Sequence, residues 1–160
     1  MVHQIMSDLS HPLAVKWLPV SEREVYVKRE VSDKIIEEEE RGLAAWSEIR
    51  YYLYSEGREI GFMIVDIAGR GAFIQDVGID EEERGIGLGK FLYKTVINDL
   101  QRWGMNLQSD TERSVEAWHV WESLKKANPD VVYYDELHDR YVATDIVHRR
   151  PNVRRYRRQR

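Results

Sequence analysis

The stretch Ile-Asp-Glu-Glu-Glu-Arg-Gly-Ile-Gly-Leu-Gly-Lys occupies positions 79–90 and carries glycines at alternate positions, Gly85, Gly87 and Gly89. A strand-like segment, 74–79, precedes the glycines, and a run with helical periodicity follows them. Glycines at a strand-to-helix junction let the backbone approach a ligand, and amides at a helix start have no partner within the helix. With the helix dipole, these amides form a site for an anion, most often phosphate. The stretch therefore predicts that a phosphorylated ligand binds here.

The spacing of the glycines argues against the two common nucleotide motifs. A P-loop has four residues between its glycines and ends in Lys-Ser or Lys-Thr, whereas three residues separate Gly85 from Gly89 and Phe91 follows Lys90. A dinucleotide fold needs G-x-G-x-x-G within a mainly parallel chain, but G-x-G-x-G stands here after strand-like runs joined by short turns. The alternative to a ligand site is that these glycines form only a turn or a helix cap.

Hydrophobic periodicity predicts strands and helices on both sides of the glycines. An irregular lead, 1–20, is followed by a strand, a short helix and three antiparallel strands joined by glycine-bearing turns. After the glycines come a helix, a short strand, a second helix and a closing hairpin. The predicted strands are 24–31, 47–54, 59–67, 72–79, 105–108, 131–135 and 140–147, and the first helix is 33–41.

The two later helices have recognisable faces and ends. The first places one apolar stripe toward a core and ends at Gly104. The second is predicted to begin with a capping box made by Ser109 and Glu112. The stripe of the first consists of Leu88, Leu92, Val96, Leu100 and Trp103, and the face of the second consists of Ala117, Trp118, Trp121 and Leu124.

The pattern Arg84-x-x-Gly87-x-Gly89, five residues after the strand-ending Ile79, resembles the acyl-CoA pyrophosphate loop of the GNAT (Gcn5-related N-acetyltransferase) family. The order of predicted elements is also that of the GNAT fold, so the resemblance covers about 20–147. It implies an α+β fold in which helices flank a central, mostly antiparallel twisted sheet. We expect a single domain at 1–147.

Composition narrows the class of protein. The 160 residues are 42% hydrophobic and 32% charged, as in an ordinary soluble globular domain. No apolar run approaches the ~18 residues of a membrane span, and no signal peptide is recognisable. The chain has no cysteine, which excludes disulfides, thiolate zinc sites and a cysteine acyl-enzyme. We expect a cytoplasmic protein without a metal site.

The charge of the chain is unevenly distributed. Residues 148–160 contain seven arginines and no acid, whereas the other 147 residues carry 17 basic and 28 acidic side chains, a net charge of −11. An arginine tail on an acidic body favours contact with RNA or DNA, or self-association as a homodimer. A solvated, disordered terminus is the alternative.

The resemblance implies where acetyl-CoA binds. In GNAT enzymes, backbone amides of the strand before the loop bond the pantetheine arm and the thioester carbonyl. A helix residue, often Asn, bonds the arm as well, and Ser114 stands at that position. The residues that match the family's cofactor site are Val77, Gly78, Ile79, Arg84, Gly85, Ile86, Gly87, Leu88, Gly89, Lys90 and Ser114.

The family's catalytic groups are less well matched. The family tyrosine that protonates the CoA thiolate corresponds to Trp121, whose indole N–H does not titrate usefully. His119 and Ser114 are the candidates to replace it. Asp76 is a candidate base, although in a regular strand its side chain would point away from that of Val77.

We therefore expect an acetyl-CoA-dependent N-acetyltransferase in which an amine attacks the thioester directly. The acceptor is left open between a small molecule and a protein lysine. A GNAT-fold binding protein that has lost its chemistry is the alternative, and a nucleic-acid-associated protein working through its tail is a third reading. The run 109–124 is similar to phage-encoded GNAT-like proteins, which implies a phage origin and a host-cytoplasm location.

Overall fold

The computed structural model describes residues 7–8, 12–31 and 47–144, which form one sheet and two α-helices. The strands are β1 (Ser7–Asp8), β2 (Ala14–Leu18), β3 (Arg23–Val31), β4 (Ser47–Ser55), β5 (Arg58–Ala68), β6 (Gly71–Ile79), β7 (Asn106–Gln108), β8 (Val132–Asp135) and β9 (Arg140–Ala143); the helices are α1 (Leu88–Gln101) and α2 (Val115–Ala127), and a 3₁₀ turn spans Glu81–Glu83. The sheet has the order β1-β3-β4-β5-β6-β7-β9-β8, and β2 also pairs with β3. This arrangement confirms the predicted α+β class.

The predicted three-strand meander is present as β4, β5 and β6, each antiparallel to the next. Its turns lie where glycines interrupt the strand pattern. Gly57 and Gly69 both adopt a left-handed backbone, which glycine tolerates without strain. The central strand, β5, carries the fully buried Ile60, Met63 and Val65, so the meander forms the middle of the core.

The sheet opens along the second half of β6. β6 and β7 are parallel but pair only along Gly71–Phe73, and β7 then ends at Gln108. Beyond Phe73 no described strand pairs with this edge of β6. A cavity fills the opening between residues 74–77 and the start of α2.

Helix α1 packs on the sheet through the predicted stripe, because Leu88, Leu92, Val96 and Leu100 are all buried. Trp103 does not belong to this stripe, contrary to the prediction. The helix ends at Gln101, and the chain leaves the helical period before Trp103. The indole is 44% exposed and lies under the Arg29 guanidinium, 4.7 Å from ring centre to Cζ.

Helix α2 begins later than predicted. Its N-cap is Ser114, whose Oγ accepts a hydrogen bond from the Ala117 amide (3.1 Å). Ser109, the predicted cap, is instead buried. Its Oγ accepts a hydrogen bond from the amide of Tyr141 in β9 (2.8 Å) and does not cap the helix. The predicted Ser109–Glu112 capping box is therefore wrong.

The predicted apolar face of α2 is correct in part. Trp121 and Leu124 are fully buried, but Trp118 is 45% exposed, so its side chain does not join the core. Neither α1 nor α2 is long and apolar enough to cross a membrane.

The irregular lead that we predicted for 1–20 contains two strands. β2 pairs antiparallel with β3 over its whole length, and β1 pairs with the far end of β3. The pattern that could have predicted β2 is the alternation of Val15 and Trp17 with Ala14, Lys16 and Leu18. The predicted helix at 33–41, the end of the closing hairpin at 145–147 and the tail at 148–160 lie outside the described residues.

Candidate functional site

A β-bulge at Gln75 shapes the open edge of β6. The register with β5 shifts between Ile64 and Val65, which leaves Gln75 as the extra residue. The bulge interrupts the alternation of side chains at Gln75, whereas Asp76 and Val77 pair in regular register with Ile64 and Met63; residues 74–77 all line one cavity. Asp76 lines this cavity although it alternates with Val77 in the regular part of the strand.

The backbone of β6 alternates between β5 and the open edge. The Asp80 amide donates to the Ile60 carbonyl (2.8 Å), so the amide of Gly78, two residues earlier, also faces β5. This corrects the predicted role of the Gly78 amide in ligand binding. Gly78 provides space instead, because a Cβ there would lie 2.9 Å from the Phe62 ring.

The amides of Val77 and Ile79 face the open edge, and only one of them is unoccupied. The Val77 amide donates to the Asp76 carboxylate (2.9 Å). The Ile79 carbonyl accepts from Arg84 Nε (3.0 Å), which draws the Arg84 side chain to the end of the strand. The Ile79 amide bonds no other residue that the structure describes, so it is available to a ligand.

The glycine loop leaves backbone amides unpaired at the start of α1. Gly85 (φ 86°) and Gly87 (φ 84°) are left-handed, and no atom lies within 4 Å of a Cβ built on either. Gly87 is the N-cap of α1 without a side-chain cap, and the first helical bond runs from the Phe91 amide to its carbonyl (3.1 Å). The amides of residues 88–90 therefore have no partner within the helix and suit an anion.

The other loop residues differ in their surroundings. Gly89 lies inside the helix, and a Cβ there would be in ordinary van der Waals contact with Val120 of α2 (3.5 Å). Ile86 is 48% exposed. Leu88 is buried and anchors the helix start in the core, while Lys90 lines the space beside the loop.

A buried ion pair holds the turn before the glycines. Glu83 is 6% exposed and bonds the Arg23 guanidinium of β3, with an Nη1–Oε2 distance of 3.2 Å. Arg23 also donates to Ser55 Oγ (2.9 Å), and Arg58 lies 3.5 Å from Glu83. The hydrogen bond from Arg23, with the charges of Arg23 and Arg58, lowers the pKa of Glu83. The loop is thus tied to both β3 and the β4–β5 turn.

Two cavities meet beside β6. The first, which we call the loop groove, has a volume of about 400 Å³ and lies between the end of β6, the glycine loop and α2. The second, the splay cavity, has a volume of about 180 Å³ and lies between 74–77 and the start of α2. We call the place where they meet the seam, which is formed by the residues that line both: Val77, Tyr93, Ser114 and Ala117.

The three predicted catalytic candidates do not converge on one point. Ser114 lies at the seam, where its oxygen also caps α2. Asp76 lines the splay cavity only. His119 lines the loop groove only, with its ring 5.0 Å from that of Trp118.

Trp121, which we expected to stand at the position of the family tyrosine, is enclosed by aromatic rings. It is fully buried, stacks on Tyr141 (5.6 Å, 8°) and meets Tyr93 edge to face (5.6 Å, 87°). Its Nε1 has no hydrogen-bond partner in the described residues. The indole therefore acts as a wall of the splay cavity and cannot supply a proton.

Sequence reasoning missed two residues of this site. Tyr93 lies one helical turn after Gly89, on the face of α1 that approaches α2, and this spacing was the available signal. Glu83 had no such signal. It belongs to an acidic run, and its partner Arg23 is 60 residues away.

The splay cavity has an acidic mouth. Asp76, Asp110 and Glu112 line it together with Arg113. The Arg113 guanidinium lies among these residues, with Nη1 donating to the Asp110 carbonyl (2.6 Å) and Nη2 paired with the Asp139 carboxylate (3.1 Å), so the lining holds three carboxylates and one guanidinium. The mouth therefore has a negative potential that attracts a cation.

The chain is similar to several proteins whose structures have been solved. Ribosomal-protein-S18-alanine N-acetyltransferase from Escherichia coli is 18% identical, with 62% of this chain and 71% of that chain covered and a TM-score of 0.45. PaiA N-acetyltransferase from Thermoplasma acidophilum, solved with coenzyme A, is 11% identical, with 70% and 67% covered and a TM-score of 0.49. No curated protein sequence matches the chain.

The family comparison is more decisive than the individual structures. A family model described as "Acetyltransferase (GNAT) family" matches residues 12–125, which is most of the chain and includes the glycine loop and nearly all of α2. The chain belongs to the GNAT acetyltransferase family.

Proposed function

We propose that this protein transfers an acetyl group from acetyl-CoA to a primary amine, which attacks the thioester directly. The continuity of the loop groove is the observation that supports this most. The groove leads from the unpaired amides of 88–90 to the seam, where the splay cavity begins. A ligand with a diphosphate at one end and a thioester at the other suits this path. The chain has no cysteine to hold the acyl group.

We assign the diphosphate to the amides of 88–90, with Arg84 and Lys90 supplying positive charge. Gly85, Ile86 and Gly87 shape the loop around it. The backbone of 77–79 borders the pantetheine arm, and the unpaired Ile79 amide is placed to polarise the thioester carbonyl. Catalysis would then depend mainly on positioning the two reactants.

The acceptor that best suits the splay cavity is a slender cationic amine, such as a lysine side chain or the end of a small polyamine. The volume of about 180 Å³ favours a narrow group, and the acidic mouth attracts a protonated amine. That amine must lose a proton before it attacks. We propose Asp76, acting through water, as the base, because it lines this cavity and His119 does not.

The test combines binding with turnover. Release of CoA thiol is followed with a panel of primary amines, and thermal stabilisation by acetyl-CoA is measured separately. Gly87→Glu places a carboxylate where the diphosphate would bind, so we expect the stabilisation to be lost. Gly57→Glu is the matched control, since Gly57 has a similar φ of 78° and equally open surroundings in a distant turn. Unchanged stabilisation in Gly87→Glu would show that the loop is not the site.

A binding protein without chemistry is the second candidate, and it is favoured by the burial of Trp121 at the position where we expected the family's general acid. Stabilisation by acetyl-CoA with no thiol release from any amine would support that function. Contact with RNA or DNA through 148–160, a homodimer, a cytoplasmic location and a phage origin stay predictions.

A further inference from the structure

One hydroxyl at the seam has no hydrogen-bond partner among the residues that the structure describes. Tyr93 is 2% exposed, and its hydroxyl makes no hydrogen bond to any residue that the structure describes. Buried polar side-chain atoms that lack a partner in the described residues are Trp121 Nε1 and Arg140 Nε, and the Tyr93 hydroxyl is not among them. The small exposed part of Tyr93 therefore includes its hydroxyl, which opens onto the cavities that the side chain lines.

Of the other residues of the seam, only Ser114 carries a polar side chain. Val77 and Ala117 have hydrocarbon side chains. The Ser114 oxygen accepts a hydrogen bond from the Ala117 amide as the cap of α2, which holds this side chain at the helix start and leaves its O–H able to donate. Tyr93 differs from Ser114 in that its hydroxyl makes no hydrogen bond to a described residue, and its ring is held in place by the edge contact with Trp121.

We propose that the Tyr93 hydroxyl donates a hydrogen bond to the thiolate sulfur of CoA as the acyl group leaves. The proposal rests on the proposed acetyltransferase function and moves the task of the family tyrosine from α2 to α1. Tyr93 touches the sulfur directly and so acts as a catalytic residue.

The step balances without a proton from Tyr93. The neutral amine nitrogen forms a bond to the acyl carbon, and the carbon–sulfur bond breaks with its electron pair moving to sulfur. The phenol keeps its proton and stabilises the sulfur charge by donation. The amide nitrogen loses its extra proton to water or a carboxylate, and the thiolate later takes one from water.

The burial of the Tyr93 phenol explains why it would donate a hydrogen bond to the sulfur and not transfer its proton. Burial raises the pKa of Tyr93 well above its usual value, so the group stays protonated at every working pH. A thiol of pKa about 8.5 is a far stronger acid than this phenol, and its thiolate would not take the proton. The charged groups that line the two cavities are Asp76, Arg84, Lys90, Asp110, Glu112, Arg113, Glu116 and His119.

The first measurement is turnover by Tyr93→Phe. We expect kcat with acetyl-CoA to fall about 10- to 100-fold, the range for a hydrogen bond to a charged group, while the affinity for acetyl-CoA is unchanged. With an acetyl thioester of a more acidic thiol the loss should shrink, because that sulfur needs less stabilisation. Tyr51→Phe is the control, since it removes another buried tyrosine hydroxyl, bonded to Asp99 (2.8 Å) far from the seam. An unchanged kcat, or an equal loss with both thioesters, would overturn the proposal.

The second measurement needs no turnover. The affinity of the protein for CoA is compared with that for desulfo-CoA across the pH range where the thiol ionises. Donation from Tyr93 favours the bound thiolate, so CoA should gain affinity about 10-fold over desulfo-CoA as pH rises, and Tyr93→Phe should lose this gain. If the pH-dependent gain in CoA affinity depends on Tyr93 but no amine is acetylated, the contact between Tyr93 and sulfur is supported and the proposed acetyltransferase function is refuted. No pH-dependent gain in the wild type would refute the contact even if turnover is found.

Discussion

Glu83 shows how one side chain outside the ligand path supports it. Its carboxylate is buried between Arg23 and Arg58, at the end of the turn that leads into the glycines. The pKa of Glu83 is lowered in the folded chain, chiefly by the hydrogen bond from Arg23. A lowered pKa contributes stability above the ordinary value of 4.5, and that stability is lost as pH falls through the folded value.

Glu83→Gln should destabilise the fold by up to about 3 kcal/mol near neutral pH, because it leaves the partly buried Arg23 without its counter-charge. The free energy of unfolding in urea measures this, and the difference from wild type should shrink below pH 4.5. Glu81→Gln makes the same charge change on an exposed side chain of the same turn and should stay within about 0.5 kcal/mol of wild type. Equal effects of the two variants would mean that the ion pair does not hold the loop.

Elements defined by local signals were predictable. The meander, the glycine loop and the buried stripe of α1 follow from strand periodicity, turn glycines and helical spacing within short windows. Features that depend on distant partners were not. The sequence around Ser109 predicts a helix cap, but the Ser109 hydroxyl accepts a hydrogen bond from the amide of Tyr141, 32 residues away. No sequence pattern predicts the bulge at Gln75.

The start of α2 gives a direct test at this scale. Ser114→Ala removes the cap seen in the structure and should cost about 1 kcal/mol, the usual loss for an N-cap serine. Glu112→Ala removes the exposed acid of the predicted capping box and should leave the stability nearly unchanged. Thermal unfolding measures the stability of both variants. A larger loss of stability in Glu112→Ala than in Ser114→Ala would favour the predicted helix start at Ser109.

At the scale of the whole molecule, charge is unevenly distributed along the chain and around the site. The splay cavity is acidic at its mouth, whereas the loop groove holds Arg84 and Lys90 near the unpaired amides. The arginine tail follows the last described strand and opposes the net charge of −11 on the rest of the chain. An amine acceptor, an acyl-CoA and a nucleic acid would therefore be attracted to separate parts of one chain.

The tail should bind RNA and DNA by counterion release, independently of the acetyl-CoA site. Seven arginines predict a slope of log K against log salt of up to about −6. A chain that ends at Val147 should lose this binding while acetyl-CoA still stabilises it. A tail with all seven arginines changed to lysine is the matched control and should keep a similar slope, since phosphate neutralisation depends on charge. Equal nucleic-acid binding by the shortened and full chains would place the contact on the folded body, where the basic residues beside the glycine loop would be the next to change.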